Sequence, residues 1–106
     1  MELVEVVLYV RDMERATRFY RETLGLEPDH ESEHWTTFRT GVCTLALHPG
    51  TAEPDPTFLV ADIEAERERL AAASVEVTEI REPTPGVRVF DVRDPDGNRL
   101  SIESRR

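Results

Sequence analysis

The stretch EVVLYVRDMERATRFYRETLGL, which runs from Glu5 to Leu26, decides the fold. Its first part, Val6 to Val10, is a short run of β-branched, aliphatic and aromatic residues, and such a run predicts a β-strand. Apolar residues then recur at spacings of three and four, which predicts an amphipathic helix. Asp12 is of the type that caps a helix N-terminus, and Gly25 is of the type that ends a helix. The sequence therefore predicts a strand that leads directly into a helix.

The same plan recurs in the second half of the chain. The segments LYVRDM, from Leu8 to Met13, and FLVADI, from Phe58 to Ile63, superpose at an offset of 50 residues. In each segment a strand ends at an Asp in the helix-capping position. Each half then adds a helix and three further strands, which makes two βαβββ modules. One such module cannot bury both the face of its sheet and its helix alone, so we expect the two to pair.

Turn residues and apolar alternation set the remaining predicted boundaries. The first half continues with an irregular edge segment at residues 26–33 and a hairpin whose two strands are 34–40 and 42–48. The second half holds strands at 57–61, 75–80, 87–92 and 99–103, with a helix at 63–73. We predict an α+β fold in one domain, 1–106, with a first module at 1–48, a Pro-rich linker at 49–56 and a second module at 57–106. Its curved mixed sheets should surround a cleft, with the helices on the outside.

Charge and composition limit the kinds of binding partner that we expect for this chain. The chain carries 22 acidic and 13 basic residues, a formal net charge of −9, and every basic residue is Arg. Nucleic acid is not expected as a partner, because phosphate binding needs a concentrated positive patch. An acidic chain favours cationic or neutral ligands, but the same charge also serves solubility. No apolar run reaches the length of a membrane span and no secretory core segment is present, so we expect a cytoplasmic protein without membrane contact.

The two ends of the repeat together resemble a known family. The front VVLYVRDMERATRFYRETLGL, residues 6–26, and the back FDVRDPDGNRLSIE, residues 90–103, are similar to the vicinal oxygen chelate superfamily. That superfamily includes glyoxalase I, extradiol dioxygenases, methylmalonyl-CoA epimerase, fosfomycin-resistance enzymes and bleomycin-resistance proteins. The resemblance covers nearly the whole chain. It implies the fold but not the activity, because function depends on the site and not on the scaffold.

The resemblance also implies where a divalent metal would be held. Family enzymes take His, Glu or Gln ligands from strands 1, 4, 5 and 8, and the matching positions here are Glu5, Ala46, Pro56 and Ser101. Only Glu5 is a good ligand among them, whereas a catalytic metal normally has about three protein ligands. A rearranged set of Glu5, His48 and Glu103 is the alternative, because imidazole and carboxylate both suit Zn or Mn.

Strand alternation predicts which side chains line the cleft. Leu45, Leu47, Leu100 and Ile102 should face the helices, and Ala46, His48, Ser101 and Glu103 should face the cleft. The candidate ligand-binding residues are Glu5, Tyr9, Trp35, His48, Ser101 and Glu103. Each has a plainer interpretation: Glu5 as a solvated acid, His48 as a strand-end residue, and Tyr9 and Trp35 as core or edge packing. His30 and His34 are interpreted as surface residues, and Cys43, the only cysteine, as a small buried apolar residue.

Two hypotheses follow. The first is a protein similar to the metal-free bleomycin-resistance group, which binds a small molecule, cationic or antibiotic-like, in an acidic and aromatic cleft without a cofactor. The second is a metal-dependent lyase, isomerase or dioxygenase of the glyoxalase type that uses the rearranged ligand set. Under either hypothesis we expect a homodimer, because exposed sheet edges invite pairing and two-fold symmetry is the commonest arrangement.

Overall fold

The computed structural model describes residues 1–105, which form two compact units. One unit is Val4–Asp55, and the other combines Met1–Leu3 with the chain from Pro56 onward. Eight strands and two short α-helices confirm the predicted α+β class. Within the described residues, no helix combines the length and the apolar composition that crossing a membrane requires.

The first unit follows the order predicted for the first module. Its elements are β1 (Glu2–Val10), α1 (Met13–Arg18), a π-helical turn (Phe19–Thr23), β2 (Glu27–Glu31), β3 (Thr36–Thr40) and β4 (Cys43–Pro49). The strands lie in the order β2-β3-β4-β1. Strand β1 pairs with β4 in parallel, and the other two pairs are antiparallel. The crossover that a parallel pair requires is made here by α1, β2 and β3.

The helix of the first unit begins and ends at the predicted residues. The Asp12 carboxylate accepts a hydrogen bond from the backbone N–H of Arg15 at 3.0 Å, which caps α1. The helix then widens into the π-helical turn, where the Leu24 N–H donates to the Phe19 carbonyl at 3.0 Å. Gly25 ends the segment with a φ of +75°, a conformation that L-residues with a side chain rarely adopt.

Helix α1 covers one face of the first sheet. The hydroxyl of Thr17 on α1 donates to the buried Thr36 hydroxyl of β3 at 3.3 Å, so Thr36 points toward the helix. Thr36 pairs with Leu47, which is 0% exposed, and two residues along the same strand pair Phe38 sits opposite Leu45. Because residues paired across strands share a face, Leu45 and Leu47 face the helix, as predicted.

The second unit repeats the arrangement. Its elements are β5 (Asp55–Leu59), α2 (Ile63–Ala72), β6 (Arg81–Thr84), β7 (Val87–Arg93) and β8 (Arg99–Arg105). The strands lie in the order β5-β8-β7-β6, with β5 and β8 parallel. Asp62 caps α2 by accepting from the Ala65 N–H at 3.1 Å. Ile63, Phe90 and Ile102 meet in the core, with Leu100 packed against them, so Leu100 and Ile102 face the helix as predicted.

Two predicted segments differ in the structure. The predicted edge strand at 75–80 is wrong: the edge strand is β6, and the earlier segment holds only an isolated bridge between Val77 and Val92. Val75, Val77 and Ile80 pack against the core instead, so their alternation reflects burial rather than a hydrogen-bonded ladder. The predicted linker is also shorter, because β4 extends through Pro49 and β5 begins at Asp55. Proline is tolerated there because each lies at or beside the end of its strand.

The DPDG turn joins β7 to β8 as the sequence predicts. Gly97 has a φ of +86° and its N–H donates to the Asp94 carbonyl at 2.9 Å. The Asp94 carboxylate accepts from the Asn98 side-chain amide and from the backbone N–H groups of Asn98 and Asp96. These hydrogen bonds, the Asn98 side chain first, lower the pKa of Asp94 below its usual value because they favour the charged form.

The helix-facing positions on the strands of each unit should dominate stability. Replacing Leu47 or Ile102 by Ala should lower the free energy of unfolding by about 2–4 kcal/mol, because each change leaves a cavity in a packed core. Val42→Ala is the control, since Val42 is 94% exposed and its truncation should change the value by less than about 0.5 kcal/mol. Urea unfolding measures the free energy of unfolding of all three variants. Equal midpoints for Leu47→Ala, Ile102→Ala and the control would mean that the strand faces are assigned the wrong way round.

Candidate functional site

The first sheet leaves one face without a helix, and most of the predicted ligand-binding residues of this unit lie there. Strand register determines which residues lie on this helix-free face. Between β1 and β4 the pairs are Glu5 with Thr44, Val7 with Ala46 and Tyr9 with His48. Thr37 of β3 pairs with Ala46 from the other side. All of them alternate with the residues that face α1. Val7 and Ala46 are buried, and Glu5, Tyr9, Thr37 and His48 are half-buried.

Tyr9 and His48 form an aromatic pair on this face. Their ring centroids are 5.9 Å apart with the planes tilted by 56°, a geometry within the range of favourable aromatic contacts. Gly50 follows β4 with a φ of +146°, and a Cβ on it would lie 3.3 Å from Cδ1 of Tyr9. Glycine at this position therefore leaves the room that the Tyr9 ring occupies. The prediction that these two side chains belong to one surface agrees with their positions in the register.

A second aromatic pair extends the same surface toward the sheet edge. His30 and Trp35 are stacked, with centroids 4.3 Å apart and an interplanar angle of 19°. His30 pairs with Thr37, which puts it on the helix-free face, next to a register shift in β2 after Pro28. Trp35 is 45% exposed, so it is not a core residue. The sequence interpretation of His30 as a plain surface residue missed this partner, because a bulge in an edge strand leaves no readable alternation.

The other two candidates lie on the second unit. Ser101 is 4% exposed and its hydroxyl donates to the Asp91 carboxylate at 3.2 Å. The same carboxylate accepts from Arg81 at 3.2 Å. Glu103 is half-buried and accepts from the Arg105 guanidinium on its own strand. Both candidates alternate with the helix-facing residues of β8, as predicted, and both are engaged in polar contacts.

The residues present do not match a metal site of the expected kind. Among residues 1–105, no group of three or more His, Cys, Asp or Glu side chains is arranged to hold a metal ion. Within the first unit, Glu5 sits opposite Thr44, four residues before His48, which separates Glu5 and His48 by about 13 Å along the strands. Strand side chains stand roughly perpendicular to the sheet, so these two are poorly placed to share one ion.

Cys43 lacks the surroundings of a nucleophile. The side chain is half-buried rather than buried as the sequence suggested, and its thiol contacts the carbonyl of Thr44 at 3.8 Å. A reactive thiolate needs a neighbouring cation, an imidazolium or a helix N-terminus, and the contact recorded for the thiol is a neutral carbonyl.

The fold is that of the glyoxalase type. The model of the Glyoxalase/Bleomycin resistance protein/Dioxygenase superfamily matches residues 2–102, and the chain belongs to that superfamily. The comparison with curated proteins finds no match.

Solved structures share the fold at low sequence identity. A glyoxalase/bleomycin resistance protein/dioxygenase superfamily member from Vibrio splendidus 12B01 is 22% identical with a TM-score of 0.78, and the match covers 97% of each chain. Methylmalonyl-CoA epimerase from Mycobacterium tuberculosis is 18% identical with a TM-score of 0.76, over 99% of this chain and 88% of that one. Homoprotocatechuate 2,3-dioxygenase from Brevibacterium fuscum is 21% identical with a TM-score of 0.73, over 99% of this chain and 32% of that one. At these identities the likeness establishes the fold alone.

The two aromatic pairs give separate spectroscopic signatures. Ring currents from Tyr9 and Trp35 should shift the ring protons of His48 and His30 away from their values in an unstructured peptide. Tyr9→Leu should return only the His48 signals toward those values, and Trp35→Leu only the His30 signals. Proton–carbon correlation NMR of the imidazoles measures both. If either change moves both histidines equally, or neither, the pairs are not formed as described.

Proposed function

We propose that this chain binds a small organic molecule, cationic or antibiotic-like, on the helix-free face of its first unit, without a metal. The observation that carries the proposal is the pair of aromatic contacts, Tyr9 with His48 and His30 with Trp35, on one face of one sheet. Small-molecule sites are lined mainly by aromatic and apolar side chains with a few polar groups, and this face has that composition.

The chemistry of the face favours a flat or cationic ligand. Aromatic rings attract cations through their electron-rich faces, most strongly for Trp and Tyr. The buried Val7 and Ala46 give an apolar floor, and the half-buried Thr37 offers a hydroxyl beside it. The formal net charge of −9 supports the same choice, because an acidic protein attracts cations from solution.

The residue types at the expected metal positions support binding without a metal. Proline stands at the strand 5 position and has no side-chain ligand, and the buried Ala46 stands at the strand 4 position. The Ser101 hydroxyl at the strand 8 position donates to a carboxylate and is a weak metal ligand in any case. The alternative function, a metal-dependent lyase, isomerase or dioxygenase, would need Glu5, His48 and Glu103 to bind one ion.

Trp35, the only tryptophan, provides a direct test of ligand binding. Titration with metal-free bleomycin, a cationic antibiotic with a flat aromatic segment, should quench Trp35 fluorescence to saturation, with the same Kd in EDTA. Tyr9→Leu should weaken binding about fivefold or more, the loss expected for one aromatic face at a cation. Phe19→Leu is the matched control, because Phe19 is a 47% exposed aromatic residue on the helical segment.

Two results would contradict this proposal. One is the absence of saturable quenching by bleomycin, or equal loss of affinity in Tyr9→Leu and the Phe19→Leu control. The other is about one equivalent of Zn, Mn, Fe or Ni retained per chain after dialysis. If Glu5→Gln and His48→Ala each abolished that metal content, the metalloenzyme alternative would replace the metal-free proposal.

We also propose that the working unit is a homodimer with two equivalent ligand sites. Strand β2 lies at an edge of the strand order in the first unit and β6 at an edge in the second, and such edges pair readily with other chains. Several large apolar side chains are exposed, among them Leu3, Phe19, Leu24 and Trp35. A second copy of the chain would remove some of these apolar side chains from water.

Light scattering at micromolar concentration should give about twice the chain mass of 12.1 kDa. Adding charge to the exposed apolar surface, as in Leu3→Glu, should shift the population toward monomer, whereas Val42→Glu at the exposed β3–β4 turn serves as a control for charge alone. A monomer that still binds bleomycin would show that the site needs no second chain.

A further inference from the structure

A cavity of the first unit lies on the opposite side of its sheet from the aromatic pairs. It opens between α1, the π-helical turn and the β2–β3 connection and has a volume of about 400 Å³. That volume lies within the usual range for small-molecule sites. We call it the helix-side cavity, and the lining residues that the proposal concerns are Glu14, Thr17, Arg18, Arg21, Glu31, Glu33 and Thr36.

The floor of the helix-side cavity is a buried pair of hydroxyls. Thr17 is 8% exposed and Thr36 is 0% exposed, and the Thr17 hydroxyl donates to that of Thr36 at 3.3 Å. The Thr36 hydroxyl in turn donates to the Ser32 carbonyl at 3.3 Å. Each hydroxyl proton is therefore used within the protein, while the Thr17 oxygen keeps its acceptor lone pairs. The floor is suited to accept a hydrogen bond from a ligand N–H.

One wall of the cavity carries two arginines, and ion pairs with neighbouring carboxylates hold both of them in place. Arg21 donates from one terminal nitrogen to Glu31 at 2.7 Å and from the other to Glu22 at 3.0 Å, and these carboxylates, Glu31 first, raise the pKa of Arg21. Arg18 donates from one nitrogen to Glu14 at 3.0 Å. A guanidinium carries five N–H donors, so Arg18 keeps others for a ligand carboxylate. The two arginines are three residues apart and lie on the same side of the helical segment.

The rim of the cavity is anionic. The Glu33 side chain is 87% exposed and its recorded ionic partner is His34, at 3.5 Å. The Glu14 side chain is 84% exposed and binds Arg18 through one oxygen. Both carboxylates line the cavity and retain acceptor sites for an ammonium group. The cavity lining therefore holds three carboxylates and two arginines, and each arginine is ion-paired with one of those carboxylates.

The backbone beside the cavity is also unusual. Arg21 lies in the π-helical turn Phe19–Thr23, which interrupts the α-helical hydrogen-bond pattern. Single π-helical turns are rare and occur frequently at functional sites. Here the turn carries the arginine that closes the cavity wall against Glu31 of β2.

We propose that the helix-side cavity is a second binding site, which takes a small zwitterion with a carboxylate at Arg18 and Arg21 and an ammonium at Glu33 and Glu14. Side chains of both charge signs surround one cavity whose floor accepts a hydrogen bond, and a zwitterion matches both signs. The site uses none of the side chains of the ligand site on the helix-free face and lies across the sheet from them, and the two meet in the β2–β3 connection, where Ser32 hydrogen bonds to the backbone of Trp35.

The probe is 4-aminobutanoate, compared with butanoate and butylammonium, which each lack one of its two charges. Nitrogen–proton NMR of labelled full-length protein should show saturable shifts for the zwitterion, with a millimolar Kd suited to so small a ligand. The shifted amides should cluster at residues 13–21 and 31–36. Butanoate and butylammonium should each bind about fivefold more weakly or worse, because an exposed charge contact is lost.

Single-residue variants test which side chain of the cavity binds each of the two charged groups of the ligand. Arg18→Gln should weaken the binding of 4-aminobutanoate about fivefold and leave that of butylammonium unchanged. Glu33→Gln should also weaken the binding of 4-aminobutanoate about fivefold, but it should leave that of butanoate unchanged. Arg15→Gln, on the same helix but outside the cavity lining, is the matched control and should bind like the original chain. The proposal fails if no shifts occur, if all three probes bind equally, or if the shifts map to residues around Tyr9 and His48. Bleomycin binding at the helix-free face should be unaffected by 4-aminobutanoate, which separates failure of one site from failure of the other.

Discussion

The parallel pairing of β1 with β4 is the contact on which the first unit depends. Parallel neighbours cannot be joined by a tight turn, so the chain has to cross over between them, and α1 makes the first part of that crossover. The crossover places α1 against one face of the pair, where Leu47 is fully buried. Once that face is buried, the period of two along a strand sends every other residue to the opposite face, and a slip of one residue would reverse both faces. The second unit obeys the same constraint through the parallel pair of β5 and β8.

The candidate ligand surface is a consequence of this alternation rather than a separate feature. Tyr9 and His48 meet because Leu8 and Leu47 must face the helix, and the register of the parallel pair then aligns the next residues. The same rule assigns the cavity that α1 encloses to a different set of side chains, those of Thr17 and Thr36. One sheet thus presents an aromatic face and, across it, a charged cavity with a hydroxyl floor. The superfamily membership explains the scaffold.

The sequence predicted the parts of the fold that local rules control. Asp12 and Asp62 cap their helices, Gly25 ends the first helical segment and the DPDG turn forms, because each depends on the conformational preferences of a few neighbouring residues. The edge strand was misplaced because Val75, Val77 and Ile80 alternate as a strand does but are held by core packing. The π-helical turn and the contact of His30 with Trp35 had no sequence signal, since both arise from a local insertion whose position only tertiary packing decides.

The assignment of faces in the first unit is the central claim, and methyl-proton NMR tests it most directly. Nuclear Overhauser contacts report protons within about 5 Å, a distance comparable to that between facing side chains across a packed interface. The Leu45 and Leu47 methyl groups should show contacts to side chains of α1 and the π-helical turn, in particular Thr17 and Tyr20. The Ala46 methyl group should instead show contacts to Val7 and Thr37, its neighbours on the helix-free face. Contacts from the Ala46 methyl group to the helix, with none from Leu47, would contradict the account, because both the aromatic surface and the helix-side cavity depend on that order.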